Sequence, residues 1–261
     1  MMGKQKESIF RYLTESWSEE RKLKGLVIAL TFDTVIGYPL VSVIGSSAAI
    51  QLINDLVIAA ILLLGLFALA RYKITRMVLG GIILIVISVR SARFVFGAHW
   101  LLGWDILLLM APVVAFVGFT IRHVNEEGPG NSHRIQAAVA AYLLITIAFA
   151  LGYILISFLI PGAFEFSNKP PEVDDPRYGY IFHYFSITTI TTLGYGDIVP
   201  VHPFSRTLTT IEALVGQLYP AILLARLVSL SVVGRATHSD PNRPPASFEA
   251  NRNHKEGGKV P

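Results

Sequence analysis

The stretch TTITTLGYGDIVP, residues 188–200, decides how the chain is read. It gathers threonines, two glycines and an acid between two long apolar runs, in a sequence that elsewhere leans the other way. Of 261 residues, 52% are apolar and only 15% charged, a balance too hydrophobic for a soluble domain of this length. In lipid, irregular backbone survives only where it is buried in protein or lines a water-filled path. The stretch is therefore either a plain external loop or an element that folds back into the bilayer. Residues 178–190, YGYIFHYFSITTI, favour the second reading. They are uncharged, aromatic and about a dozen in number, too short to span but suited to a half-crossing helix.

Outward from that stretch, a crossing helix needs about 20 mostly apolar residues. Six segments come close, near 25–45, 50–70, 77–96, 100–121, 136–160 and 206–231. The third is the weakest, because 13 residues separate Arg76 from Arg90, and a five-span arrangement stays open. The first begins behind a charged leader with no small-residue cleavage site, which reads as a retained span rather than a removed signal. With both ends inside, the cytoplasmic side holds 17 Lys and Arg and the other side five. That is the asymmetry expected of six spans with cytoplasmic termini.

The leader, 1–24, carries Ile9, Phe10, Leu13 and Trp17 at helical spacing, as an interfacial helix or a soluble cap would. Residues 232–261 are polar, with Pro, Asn and Gly; they are expected to be disordered and are too few for a cytoplasmic ligand-binding domain. Absence of cysteine excludes disulfides, thiolate metal sites and cysteine nucleophiles. The basic residues sit at the ends of apolar runs, so they read as topology signals and not as a nucleic-acid footprint. No internal repeat is visible.

The segment TTLGYGD, 191–197, resembles the selectivity filter of tetrameric potassium channels, whose usual form is Thr-Val-Gly-Tyr-Gly-Asp. The resemblance covers roughly 136–231, in the order outer helix, pore helix, filter, inner helix. It implies that Thr192, Leu193, Gly194 and Tyr195 hold K+ with their backbone carbonyls, which replace the ion's hydration shell. The Thr192 hydroxyl would add the innermost ligand. Gly194 and Gly196 would permit backbone angles that a side chain forbids. Tyr195 would wedge against Tyr184 and Phe185, and Asp197 would cap the outer mouth. One chain supplies one filter strand, so the resemblance implies a homotetramer, with K+ as permeant ion and no cofactor. Leu193 replaces the usual Val. Thr188 stands where some relatives carry a buried acid behind the filter, and this puts acid-based filter gating in doubt. Gly216, 19 residues after Asp197, lies near the family's hinge glycine. It is read as a hinge or as a small residue for close helix packing, with Pro220 as a second kink.

Asp33, Asp55 and Asp105 lie within spans, where ionisable groups are commonly paired or functional; Arg71, Arg76, Arg90 and Arg93 are candidate partners. Voltage-gated relatives repeat charges every third residue on the fourth span, yet 101–121 holds no Lys or Arg, so structural ion pairing is the favoured reading. Glu212, early in the inner helix, is read as bonding to pore-helix backbone or a neighbouring chain, or as tuning conduction. His183 is read as packed or hydrogen-bonded rather than proton-sensing. The 161–178 loop, with net charge −2, either concentrates cations at the mouth or is simply solvated. Trp100 and Trp104 fit an interfacial belt.

The sequence thus describes an all-α membrane protein with six transmembrane helices, and a re-entrant pore helix and filter between the last two. A four-span peripheral domain (25–121) and a cytoplasmic linker (122–135) precede a pore domain (136–231). The expected function is passive, potassium-selective permeation across a plasma membrane, and no enzyme activity. The alternatives are a non-selective cation channel, or a transporter or non-conducting subunit.

Overall fold

The computed structural model describes residues 21–44, 48–69, 72–96, 101–125, 131–172 and 175–238. The interfacial helix expected around Ile9 to Trp17, the side chain of Trp100 and the tail beyond 238 lie outside the described residues. The chain divides into one compact unit over 1–219 and a second over 220–261.

The first unit is helical almost throughout. Residues 21–32 form α1, which runs into a π-helical turn, Asp33–Gly37, and then α2, Tyr38–Ile44. Four long helices follow: α3 (Ala48–Leu69), α4 (Lys73–Phe96), α5 (Leu102–Asn125) and α6 (Asn131–Leu159). The short α7 spans Pro176–Ile190, and α8 runs over Pro203–His238. Among the described residues, five helices are long and apolar enough to cross a membrane: α3, α4, α5, α6 and α8. The α4 segment expected to be weakest is one of them, over Lys73–Arg93. The segment expected near 25–45 is helical too, but its π-helical turn divides it into shorter pieces. Because α5 runs to Asn125 and α6 begins at Asn131, the expected 122–135 linker is largely helical. In the second unit the helix continues to His238, beyond the expected end at 231.

Burial on the lipid side of a helix gains nothing over lipid itself, so contacts among helices depend on close packing and on polar ties. Leu26, Leu30, Leu62, Ile83, Phe116 and Leu144, from α1, α3, α4, α5 and α6, fill one core. A second core is aromatic. Tyr153 of α6, Phe164, and Tyr178, Phe182 and Phe185 of α7 meet edge to face, with ring centroids 5.0–5.7 Å apart, the arrangement favoured by ring quadrupoles.

Local chemistry sets the bounds of α7. Asp175 is its N-cap, accepting the Arg177 amide at 2.9 Å, and Pro176 opens the helix, where a missing N–H costs nothing. Fifteen residues make about 22 Å of helix, short of the roughly 30 Å hydrocarbon core. A two-stranded antiparallel ribbon closes the far side of the following segment: β1, Phe164–Phe166, pairs with β2, Ile198–Pro200, with Phe166 opposite Ile198.

Candidate conduction site

Between the end of α7 and the start of β2, residues 191–197 take a backbone course of their own. Thr192, Gly194 and Gly196 have φ of +60°, +53° and +77°, while Leu193 and Tyr195 keep negative φ. In a β-strand successive peptide groups alternate direction. Alternating left- and right-handed residues turn each peptide plane back, so that neighbouring carbonyls share one side. Glycine takes positive φ freely, whereas for β-branched Thr192 it is a strained position.

Both ends of the segment are fastened. At its N-terminal end the Thr188 carbonyl accepts the amides of Leu193 and Gly194, at 2.8 and 3.1 Å, and the Thr189 carbonyl accepts that of Thr192 at 2.9 Å. At its C-terminal end the Asp197 carbonyl accepts the Ser167 amide at 2.9 Å, continuing the ribbon. The Tyr184 hydroxyl donates to the Asp197 carboxylate at 2.9 Å, and the Tyr184 ring lies parallel to that of Tyr195, with an interplanar angle of 9° and centroids 6.3 Å apart. Phe185 is elsewhere, packed on Tyr153 and Phe164; adjacent helical residues point about 100° apart and cannot share a face. Residues 191–196 are all exposed in the single chain, Leu193 at 56% and Tyr195 at 67%.

Thr188 therefore serves the segment through its carbonyl, while its hydroxyl is turned to the Phe185 carbonyl at 3.0 Å. The buried acid of this region comes from α8 instead. Glu212, with no exposed surface, takes the hydroxyl of Tyr153 on one carboxylate oxygen and lies against the hydroxyl of Ser186 on the other. Side chains, not pore-helix backbone, are its partners. Neither Ser186 nor Tyr153 stood out in the sequence, although a lone acid inside a span demands partners of this kind. Gly216, one turn further along α8, faces the Ile190 carbonyl so closely that an added Cβ would lie 2.1 Å from it. Pro220 lies inside α8.

At the start of α7, the hydrogen bonds and charge of Arg177 hold the Asp175 carboxyl below the usual carboxylate range; the two groups are 2.6–3.0 Å apart. Asp175 and Arg177 therefore cancel one another there.

The charged side chains of α3, α4, α5 and the π-helical turn fall into two groups. Arg90 bridges Asp55 at 2.8 Å and Asp105 at 3.2 Å, and Arg93 holds Asp105 at 2.5 Å. Two cations and two anions on α3, α4 and α5 thus neutralise one another. Asp33 stands apart from them. Its π-helical turn faces α7, where Tyr180 donates to it at 3.2 Å and the His183 ring nitrogen lies 3.7 Å away. A side chain at Gly37 would collide with the Tyr180 ring, so the glycine admits the donor. Trp104 is 61% exposed, as a belt residue would be.

Residues 141–232 match a family model described as an ion channel. The inward rectifier potassium channel Kirbac3.1 of Paramagnetospirillum magnetotacticum is 35% identical over 88 residues, 34% of this chain and 26% of that protein. Two-pore potassium channel 4 of Arabidopsis thaliana is 28% identical over 107 residues, 41% of this chain and 37% of the relative. Protein LctB of Bacillus caldotenax is 30% identical over 89 residues, covering 33% and 64%. The chain thus spans about a quarter to two-fifths of the length of the two named potassium channels. No solved structure matches the chain significantly. The matched residues, 141–232, include the half-length helix, the left-handed segment and most of the helix that follows. Through these residues the chain carries an ion-channel domain similar to those of potassium channels.

Proposed function

We propose that four copies of this chain surround one axis and conduct potassium selectively and passively, with Thr192, Leu193, Gly194, Tyr195 and Gly196 as the ion path. The alternating backbone handedness at 192–196 carries this reading. A row of carbonyls on one side of a strand can replace water around a dehydrated cation, provided that other rows complete the shell. One chain offers one such row. The exposure of residues 191–196 supports the same assembly, because a bare Leu193 and Tyr195 would gain neighbours from adjacent copies. K+ is the permeant ion here, and Thr192, Leu193, Gly194 and Tyr195 would supply its carbonyl ligands. Thr188, Tyr184 and Asp197 support the filter, while Gly216 and Pro220 are the positions where the inner helix would bend.

The proposed topology has six spans, both termini on the cytoplasmic side of the cell membrane, and α7 re-entering from outside. The 17-to-5 split of basic residues supports it. The chain has no native cysteine, so single cysteines introduced at Ser167 and Glu126 report sidedness cleanly. The first is expected to label from outside only, the second from inside only.

The functional test is current from purified protein in liposomes under opposed potassium and sodium gradients. The reversal potential is expected to follow potassium, and the particle mass to be four times 28.7 kDa. A reversal potential indifferent to the potassium gradient refutes the selective pore, and a monomeric or dimeric mass refutes the ring.

A further inference from the structure

We propose that Glu212 is a resident proton-binding site: it is held as a neutral carboxylic acid that donates to Ser186 and thereby positions the pore helix. A count of hydrogens carries the inference. The Ser186 Oγ stands between two oxygens, the Thr146 carbonyl at 2.8 Å and one Glu212 carboxyl oxygen at short range. A serine hydroxyl has one hydrogen to donate, and a carbonyl has none. Were Glu212 ionised, it too would bring none, and one of the two contacts would press bare oxygens together inside the protein.

With a proton on Glu212 the chain closes. Tyr153 donates to one carboxyl oxygen, the other donates to Ser186, and Ser186 donates to the Thr146 carbonyl, so every hydrogen in the series has an acceptor. The surroundings favour the neutral form. Glu212, Ser186 and Tyr153 have no exposed surface, and an unpaired charge removed from water is far costlier than a satisfied neutral acid. The titratable groups facing Glu212 are Tyr153 and Tyr142 of α6. From α7 it meets Ser186, and no Lys, Arg or His is paired with it among the described residues.

The location gives the proton a task. Glu212 is on α8, Tyr153 and Thr146 are on α6, and Ser186 is on α7. Ser186 lies two residues before Thr188, whose carbonyl receives the Leu193 and Gly194 amides. The acid thus joins the outer and inner helices to the helix that aims the filter. This positioning role rests on the pore reading above, whereas the protonation itself does not.

The experiment compares the purified full chain with Glu212→Gln and Glu212→Ala. At neutral pH the infrared difference between wild type and Glu212→Gln is expected to contain a protonated-carboxyl C=O stretch that shifts in deuterated water. Gln places an acceptor oxygen and an N–H donor where the neutral acid has its C=O and O–H, and adds one further N–H. Potassium flux of Glu212→Gln is therefore expected within about threefold of wild type, while Glu212→Ala takes the acceptor from the buried Tyr153 hydroxyl and the donor from Ser186 and loses about tenfold or more. A carboxylate signal in place of the acid band, or a Glu212→Gln flux as low as that of Glu212→Ala, overturns the proposal. Should the alanine variant fail to fold, the infrared comparison still decides. It also reads out in a protein that passes no current, which separates failure of this inference from failure of the pore reading.

Discussion

Replacing Gly216 by alanine puts a carbon where the structure has a carbonyl. The new Cβ would lie 2.1 Å from the Ile190 oxygen and 2.8 Å from both its carbonyl carbon and Cγ1. Carbon and oxygen ordinarily approach no closer than about 3.3 Å, so α7 and α8 would have to part by about 1.2 Å at this point. The obstructing atom is backbone and cannot rotate away, and the same oxygen accepts the Tyr142 hydroxyl at 3.2 Å. Overpacking then falls at the upper end of its usual range, about 3 kcal/mol, offset by about 1 kcal/mol for the better helix former. The net loss of about 2 kcal/mol corresponds to roughly thirtyfold in an equilibrium. Gly81 of α4, with nothing within 4 Å of its added Cβ, supplies the control. Thermal unfolding in detergent is expected to show Gly81→Ala at or above wild type and Gly216→Ala clearly below it, with weakened potassium selectivity in liposomes. Equal melting and equal selectivity for the two variants would refute close packing as the reason for Gly216.

Gly194→Ala meets no atom within 4 Å, yet its φ of +53° costs an L residue about 1–2 kcal/mol; sodium exclusion measured by reversal potential is expected to be lost, and an unchanged potential contradicts the assignment. Neutralising Arg90 and Arg93 together, as Gln, breaks a largely buried network and is expected to lower the melting temperature while leaving the slope of the conductance–voltage curve intact; a shallower slope would make them sensing charges. Asp175→Ala removes the cap of α7 and is expected to cost about 1 kcal/mol in thermal unfolding. Since Arg177 lowers the Asp175 carboxyl, the stabilisation is present above the usual carboxylate range and is lost as pH falls through the lowered value. An acid melting curve for Asp175→Ala that matches wild type above pH 5 would remove the cap from the account.

The left-handed course of residues 192–196 was legible because its chemistry is local. Two glycines around Tyr195, a short uncharged helix before them and Thr192 at the junction are contiguous, and backbone geometry follows from residue type at those positions. Aromatic character alone places Tyr184 and Phe185 together beside Tyr195, whereas the 100° turn between adjacent helical residues stacks only Tyr184 on it and sends the Phe185 ring to Tyr153 and Phe164. The partners of the buried acids were hidden for another reason. Asp33 meets Tyr180 across 147 residues and Glu212 meets Tyr153 across 59, and no periodicity encodes which of many tyrosines supplies a hydroxyl. Asp55, Asp105, Arg90 and Arg93 were expected to pair because lone charges in lipid are expensive. Which acid would be left out depended on a π-helical turn that composition does not announce.

The mooring of residues 191–197 has a consequence for the length of the gene as well as its spelling. The segment is stretched between the Thr188 carbonyl at one end and the Ser167 bond at the other, so it has no slack. One codon added or lost inside it would shift every later residue off the ribbon register in which Phe166 faces Ile198. The neighbouring prolines at 170 and 171 lie outside both moorings, and insertions there leave the fastened stretch untouched. Variation in length is expected to collect beside Pro170 and to stop at Thr191.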